Sequence, residues 1–212
     1  MTDLMARPND CSADCPVVYD LHPMQHVEPG TSERLNRLRA AVLGANDGIV
    51  STAAVVVGVA GATANQTTIA MSGLAAVVGG AVSMALGEYV SVSSQRDSER
   101  SMGFAEHQQV NPWSAGIASF LSFILGAVLP FVTAILAPES VRIVSIFAVT
   151  LVALALTGAL SAKLGDSPVL RPVLRIVVGG TLGLAMTFAV GSLFGAAAPV
   201  SYTHLRAHET LR

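Results

Sequence analysis

The chain has 212 residues, of which 52% are hydrophobic and only 12% are charged. A mean hydropathy of +0.60 is typical of an integral membrane protein and excludes an ordinary soluble domain. The net charge of −2 argues against nucleic acid as a partner.

Residues 1–30 are polar and contain four prolines, which predicts a disordered N-terminal tail. Two cysteines and two histidines in it resemble a Cys2His2 metal site, although the six-residue spacer between the pairs is short: Cys11, Cys15, His22 and His26. A tail that binds nothing specific and a tail that weakly captures metal both stay open.

Five apolar segments follow between residues 31 and 199, each long enough to cross a bilayer, which takes about 20 apolar residues. The sequence therefore predicts an all-α membrane domain with five transmembrane helices. Lys and Arg concentrate on the side of the N-terminus, which places that terminus in the cytosol. We expect the helices at about 32–63, 67–100, 113–136, 142–164 and 172–195.

The first two helices form a hairpin whose apolar runs contain two charged residues, Asp47 and Glu88. A carboxylate within a membrane span costs about 2.5–3.5 kcal/mol on insertion scales and is therefore a candidate functional group. Asp47 and Met84 are equally far from the turn, so an antiparallel hairpin places them at similar depth. Glu88 follows Met84 by four residues and shares its helix face.

Two carboxylates and a thioether are ligands for a divalent metal ion. Carboxylates alone suit Mg2+ or Ca2+, whereas the thioether favours a softer transition metal. One chain offers too few ligands to replace the ion's hydration shell, but a two-fold dimer would offer Asp47 and Met84 twice around its axis. The structural alternative is that Met84 faces lipid and that a neighbouring helix satisfies Asp47.

This chain resembles the vacuolar iron transporter family in two long segments, ANDGIVSTAAVVVGVAGA from Ala45 and GAVSMALGEYVSVSSQRDSER from Gly80. The resemblance covers residues 34–100 closely and 112–196 more loosely. It implies a five-helix homodimer that exports Fe2+ from the cytosol in exchange for protons. Asp47 and Met84 match the aspartate and methionine that line the family's pore between subunits.

The chain departs from the family after the second helix. There the family carries a cytosolic, glutamate-rich helical domain that gathers metal, whereas here only Ser101–Asn111 precedes the third helix. Glu106 and His107 are the candidate ligands in this connection, and a plain linker is the other interpretation. The lack of this cytosolic domain is either genuine or the result of a deletion. The alternative function is therefore a transport-dead or truncated dimeric membrane module.

The leading hypothesis is proton-coupled export of Fe2+, with Mn2+ as a second substrate. Such export would serve iron detoxification or storage. Asp47 and Met84 hold the ion, while Glu88 relays it from the cytosol and carries protons. The protein is then not an enzyme: two isolated carboxylates do not make a hydrolase, and the apolar spans contain no His or Cys. An uncoupled channel is a further alternative.

Residues 200–212 differ in composition from the rest of the chain and are predicted to be a non-native tail. They are therefore excluded from the fold prediction. The Ala, Gly and Val bias of the spans favours a bacterial plasma membrane as the location.

Overall fold

The computed structural model describes residues 31–106, 109–165 and 168–197. The tail at 1–30 with its four candidate ligands, His107 and residues 200–212 lie outside these ranges. All five helices of the described chain are long and apolar enough to cross a membrane, which confirms the predicted all-α class. They are α1 (Thr31–Ala62), α2 (Gln66–Ser101), α3 (Pro112–Leu136), α4 (Arg142–Leu164) and α5 (Leu170–Ala197).

The helix boundaries lie within two residues of the predicted ones, and local capping explains two of the starts. The Asn65 side chain accepts a hydrogen bond from the Thr68 N–H at 3.0 Å, so α2 begins directly after it. Asn111 caps α3 in the same way by accepting from the N–H of Trp113 at 3.0 Å. Proline is tolerated as the first residue of α3 because its missing N–H has no helical partner there.

Helix α1 is the centre of the bundle and packs against all four other helices. The largest buried apolar cluster contains residues of every helix. Its members are Ala53, Val56 and Val57 of α1, Ile69 of α2, Ala134 of α3, Ile146 of α4 and Leu184 of α5. The core therefore lies where the five helices meet along α1.

Helices α1 and α3 approach each other backbone to backbone. A Cβ atom at Gly48 would collide with the Phe123 carbonyl, and one at Gly126 would collide with the Ala45 carbonyl. Small residues permit this approach, and in a membrane such close packing drives helix association. Because α3 occupies the Gly48 side of α1, the adjacent Asp47 lies toward α2, where it lines a groove.

The two ends of the bundle differ in charge. We call the end where α1 begins the basic end, because Arg39, Arg96, Lys163 and Arg175 lie there. At the opposite end, the Gln66 side chain joins α2 to α3 by donating to the Ile135 carbonyl at 2.9 Å. Among the described residues of that end, the charged ones are Glu139 and Arg142.

Candidate metal site between the first two helices

A groove of about 440 Å³ runs between α1 and α2. Asp47, Met84 and Glu88, the three residues that the sequence analysis selected, all line it. Its lining follows one stripe of each helix, because residues three or four apart share a helix face. The stripes are Leu43, Asp47, Ser51 and Val55 on α1, and Ala76, Gly80, Ser83, Met84, Gly87 and Glu88 on α2.

The Asp47 side chain is half-buried in this groove. Within the described ranges, no cation or hydrogen-bond donor pairs with its carboxylate. The Ser51 hydroxyl donates a hydrogen bond to the backbone carbonyl of Asp47 at 2.6 Å. This bond does not involve the carboxylate oxygens of Asp47. The alternative that a neighbouring helix satisfies Asp47 therefore has no supporting contact.

Met84 is half-buried and contacts both the groove and the helix bundle. It packs against a buried cluster formed by Ala81, Phe123 and Ala127. This packing restricts a side chain that is otherwise flexible. Met84 is therefore more than a lipid-facing side chain, and its thioether belongs to the same groove as the Asp47 carboxylate.

Glu88 is held by an ion pair that the sequence analysis missed. Arg39 Nη2 lies 3.1 Å from Glu88 Oε2, and the glutamate side chain is 6% exposed while the arginine is 54% exposed. Arg39 also donates to Asn36 Oδ1 at 3.3 Å. From the sequence, the arginines of α1 are candidates for binding anionic headgroups and, more simply, for setting the orientation, and neither role predicts this pair.

A signal for this pair was present in the hairpin. The turn-centred symmetry places Leu43 opposite Glu88, and Arg39 lies four residues before Leu43 on the same face of α1. A long arginine side chain can span one helical turn while it keeps its charged group near the polar surface. The groove thus contains one unpaired carboxylate, at Asp47, and one neutralised by a cation, at Glu88.

One chain alone supplies few ligands. Across the described helices and connections, no group of three or more His, Cys, Asp and Glu side chains forms a potential metal site. The groove offers the carboxylate of Asp47, the thioether of Met84 and the paired carboxylate of Glu88. Their assignment as metal ligands stays a prediction.

The face of α2 beside the groove is exposed and built from small residues. Ala75, Gly79, Ser83 and Gly87 recur at four-residue spacing, and all four are exposed. A Cβ atom added at Gly79 or Gly87 would meet no other atom within 4 Å. Another helix can therefore approach the α2 backbone closely along this line.

Four apolar helices packed around a fifth, α1, define an integral, multi-pass membrane protein. The VIT family model matches residues 38–110 and 98–192, which together span most of the chain. The chain therefore belongs to the VIT family, and the resemblance inferred from the two long segments is confirmed.

Curated plant relatives support the same assignment. The chain is 43% identical over 182 residues to "Vacuolar iron transporter homolog 3" of Arabidopsis thaliana, a match that covers 82% of this chain and 88% of that protein. It is 40% identical over 184 residues to "Vacuolar iron transporter homolog 4" of the same plant, covering 83% and 93%. "Vacuolar iron transporter homolog 5" of Oryza sativa subsp. japonica is 42% identical over 172 residues, covering 77% and 83%.

Proposed function

We propose that this protein exports Fe2+, with Mn2+ as a second substrate, from the cytosol across its membrane in exchange for protons. Membership of the VIT family supports metal-ion transport across a membrane, and several relatives are named vacuolar iron transporter homologs. The observation that carries the proposal is the unpaired Asp47 carboxylate, which shares an intramembrane groove with the Met84 thioether. A hard oxygen and a soft sulfur together suit a first-row transition metal.

A second copy of the chain would complete the ligand set. The exposed small-residue face of α2, formed by Ala75, Gly79, Ser83 and Gly87, borders the groove and permits close approach of a second α2. A two-fold axis along this face would bring two Asp47 and two Met84 side chains around one ion. We therefore propose a homodimer whose pore lies between the subunits.

The basic end of the bundle is proposed to face the cytosol, as the positive-inside rule predicts. Glu88 lies closer to this end than Asp47 and Met84 do, so an ion leaving the cytosol meets it first. Because Arg39 neutralises Glu88, an incoming cation competes with a guanidinium for the Glu88 oxygens. In a bacterial cell the membrane would be the plasma membrane.

Proton exchange follows from the chemistry of the carboxylates. A carboxylate oxygen binds either a proton or a metal ion, and Asp47 has no other partner among the described residues. Loading of the ion then releases protons from the site, and protons arriving from the far side release the ion. A gradient that is acidic on the far side therefore drives export.

The short connection between α2 and α3 is compatible with transport. Glu99 organises it by accepting from the Val110 N–H at 3.0 Å and from the Gln95 side chain at 2.9 Å. The Glu99 carboxylate therefore stabilises the connection between α2 and α3. Two relatives named vacuolar iron transporter homologs are covered over 88% and 93% of their length, which leaves little room in them for a further domain.

Fe2+ uptake into proteoliposomes tests the proposal. For the full chain we expect uptake that an inside-acidic pH gradient accelerates. Asp47→Ala should abolish uptake, while Asp97→Asn, which removes an exposed carboxylate of α2 outside the groove, should keep the wild-type rate. Fe2+ flux that survives in Asp47→Ala would refute the site, and flux that ignores the gradient would indicate an uncoupled channel.

A folded, dimeric protein without any uptake would instead support the transport-dead module. Ser83→Cys on the exposed face of α2 reports the dimer directly, because two-fold packing along this face brings the two thiols together. With Cys11 and Cys15 replaced by serine in both variants, we expect oxidative cross-linking of Ser83→Cys in the membrane and none of Leu156→Cys, which is exposed on α4. Equal cross-linking at both positions would contradict the proposed interface.

A further inference from the structure

A second pocket lies at the basic end of the bundle, on another side of α1. It has a volume of about 550 Å³ and is formed by the first half of α1, the end of α4 and the start of α5. Its polar lining residues are Arg39, Asn46, Ser161 and Arg175. No described carboxylate lines it, and its two cationic side chains are Arg39, which is paired with Glu88 outside the pocket, and Arg175.

The rest of the wall is apolar and continues into the outer surface of the bundle. Leu35 and Leu164 line the pocket and are 58% and 50% exposed. Leu174, next to Arg175 on α5, is 60% exposed. These exposed leucines continue the apolar outer surface of the membrane-spanning helices up to the mouth of the pocket.

We propose that this pocket binds the headgroup of an anionic phospholipid, whose phosphate is held between Arg39 and Arg175. Guanidinium groups suit phosphate because they present several donors in a planar fork. The apolar wall would take the first part of an acyl chain. Basic pockets between transmembrane helices on the cytoplasmic side are typical sites for acidic lipid headgroups.

The shared residue Arg39 connects this pocket with the groove between α1 and α2. Arg39 pairs with Glu88 and is also a lining residue of this pocket. A lipid phosphate and the Glu88 carboxylate therefore compete for one cation. Removal of the Glu88 charge should therefore strengthen lipid binding more than Asp97→Asn does, because Asp97→Asn removes an equal charge outside the pocket.

Native mass spectrometry of the full-length protein, released from mixed micelles of phosphatidylglycerol and phosphatidylcholine, tests the site. We expect selective retention of phosphatidylglycerol. Arg175→Gln should weaken it by about fivefold, the equivalent of one basic residue at an anionic surface. The matched control Arg171→Gln changes an exposed arginine one turn earlier on α5, outside the pocket lining, and should keep wild-type retention.

Glu88→Gln should raise the retention of phosphatidylglycerol above the wild-type level. Equal losses in Arg171→Gln and Arg175→Gln, or unchanged retention in Arg175→Gln, would overturn the proposal. Saturable, Arg175-dependent binding of inorganic phosphate alone would assign the pocket to a soluble anion instead. If phosphatidylglycerol is retained only after residues 1–30 are deleted, residues 1–30 rather than a lipid occupy the pocket in the full chain. None of these readouts depends on metal transport, so the lipid site and the transport proposal fail independently.

Discussion

The ion pair between Arg39 and Glu88 makes an asymmetric prediction about stability. Arg39→Gln leaves the Glu88 carboxylate, with its side chain 6% exposed, without its cation. Glu88→Gln instead leaves a half-exposed arginine that reaches water, and the new amide oxygen still accepts a hydrogen bond. The arginine variant should therefore be the less stable of the two, although each removes one member of the same pair.

The size of the effect follows from the burial of the two partners. Breaking a fully buried ion pair costs about 3–5 kcal/mol. Here Arg39 is 54% exposed, so solvent screens the pair and the loss in Arg39→Gln should be about 2 kcal/mol. For Glu88→Gln we expect about 0.5–1 kcal/mol. For a chain of this size, about 2 kcal/mol corresponds to a fall in Tm of about 4–8 °C.

Thermal unfolding in a mild detergent, followed by circular dichroism, gives the comparison. The double variant Arg39→Gln/Glu88→Gln should be more stable than Arg39→Gln alone, because it no longer buries a charge. Arg37→Gln, an exposed position on the same helix, is the control and should keep the wild-type Tm. Two results would show that the ion pair does not stabilise Glu88: a wild-type Tm for Arg39→Gln, or a loss of stability in the double variant that equals the sum of the two single losses.

Three further predictions concern the bundle itself and use the same unfolding assay. Gly48→Ala should prevent normal packing of α1 on α3, because its Cβ would collide with a backbone carbonyl, whereas Gly183→Ala meets no atom within 4 Å and should fold normally. Asn65→Ala should destabilise the start of α2 by about 1 kcal/mol, and an unchanged Tm would show that its cap is dispensable. Phe123→Ala should cost about 3 kcal/mol, since the ring is fully buried. Leu125→Ala, 72% exposed on the same helix, should change stability by less than about 0.5 kcal/mol, and equal losses would contradict the assigned packing.

The hairpin shows how far sequence reasoning reached. The two helices were predicted from the length of their apolar runs, and the turn from the short polar stretch between them. The predicted helix boundaries agree with the observed ones within two residues. The constant rise of a helix and the antiparallel turn also predicted similar depth for Asp47 and Met84, and the structure places both side chains in one groove. Their role as ligands remains for the transport experiment.

The partner of Glu88 was beyond that reasoning because it depends on side-chain reach and on the angle between helices. Arg39 lies one turn away from the position opposite Glu88, and a rule based on depth alone selects Leu43. Equally, nothing in hydropathy distinguishes α3, α4 and α5 as neighbours of α1. Contacts such as the approach of Gly48 to the Phe123 carbonyl decide that arrangement.

By itself, the sequence determined the five helices of the described chain that are long and apolar enough to span a membrane, and their ends to within two residues. These features are local: an apolar helix must satisfy its own backbone hydrogen bonds in lipid, and its length and rise then follow. Only the tertiary structure decided which face of α1 meets which helix, that Arg39 holds Glu88, and that Arg39 and Arg175 line one pocket. Those contacts join residues far apart in the chain, and in a membrane they depend on the fit of side chains rather than on hydrophobicity, because lipid is as apolar as the helices themselves.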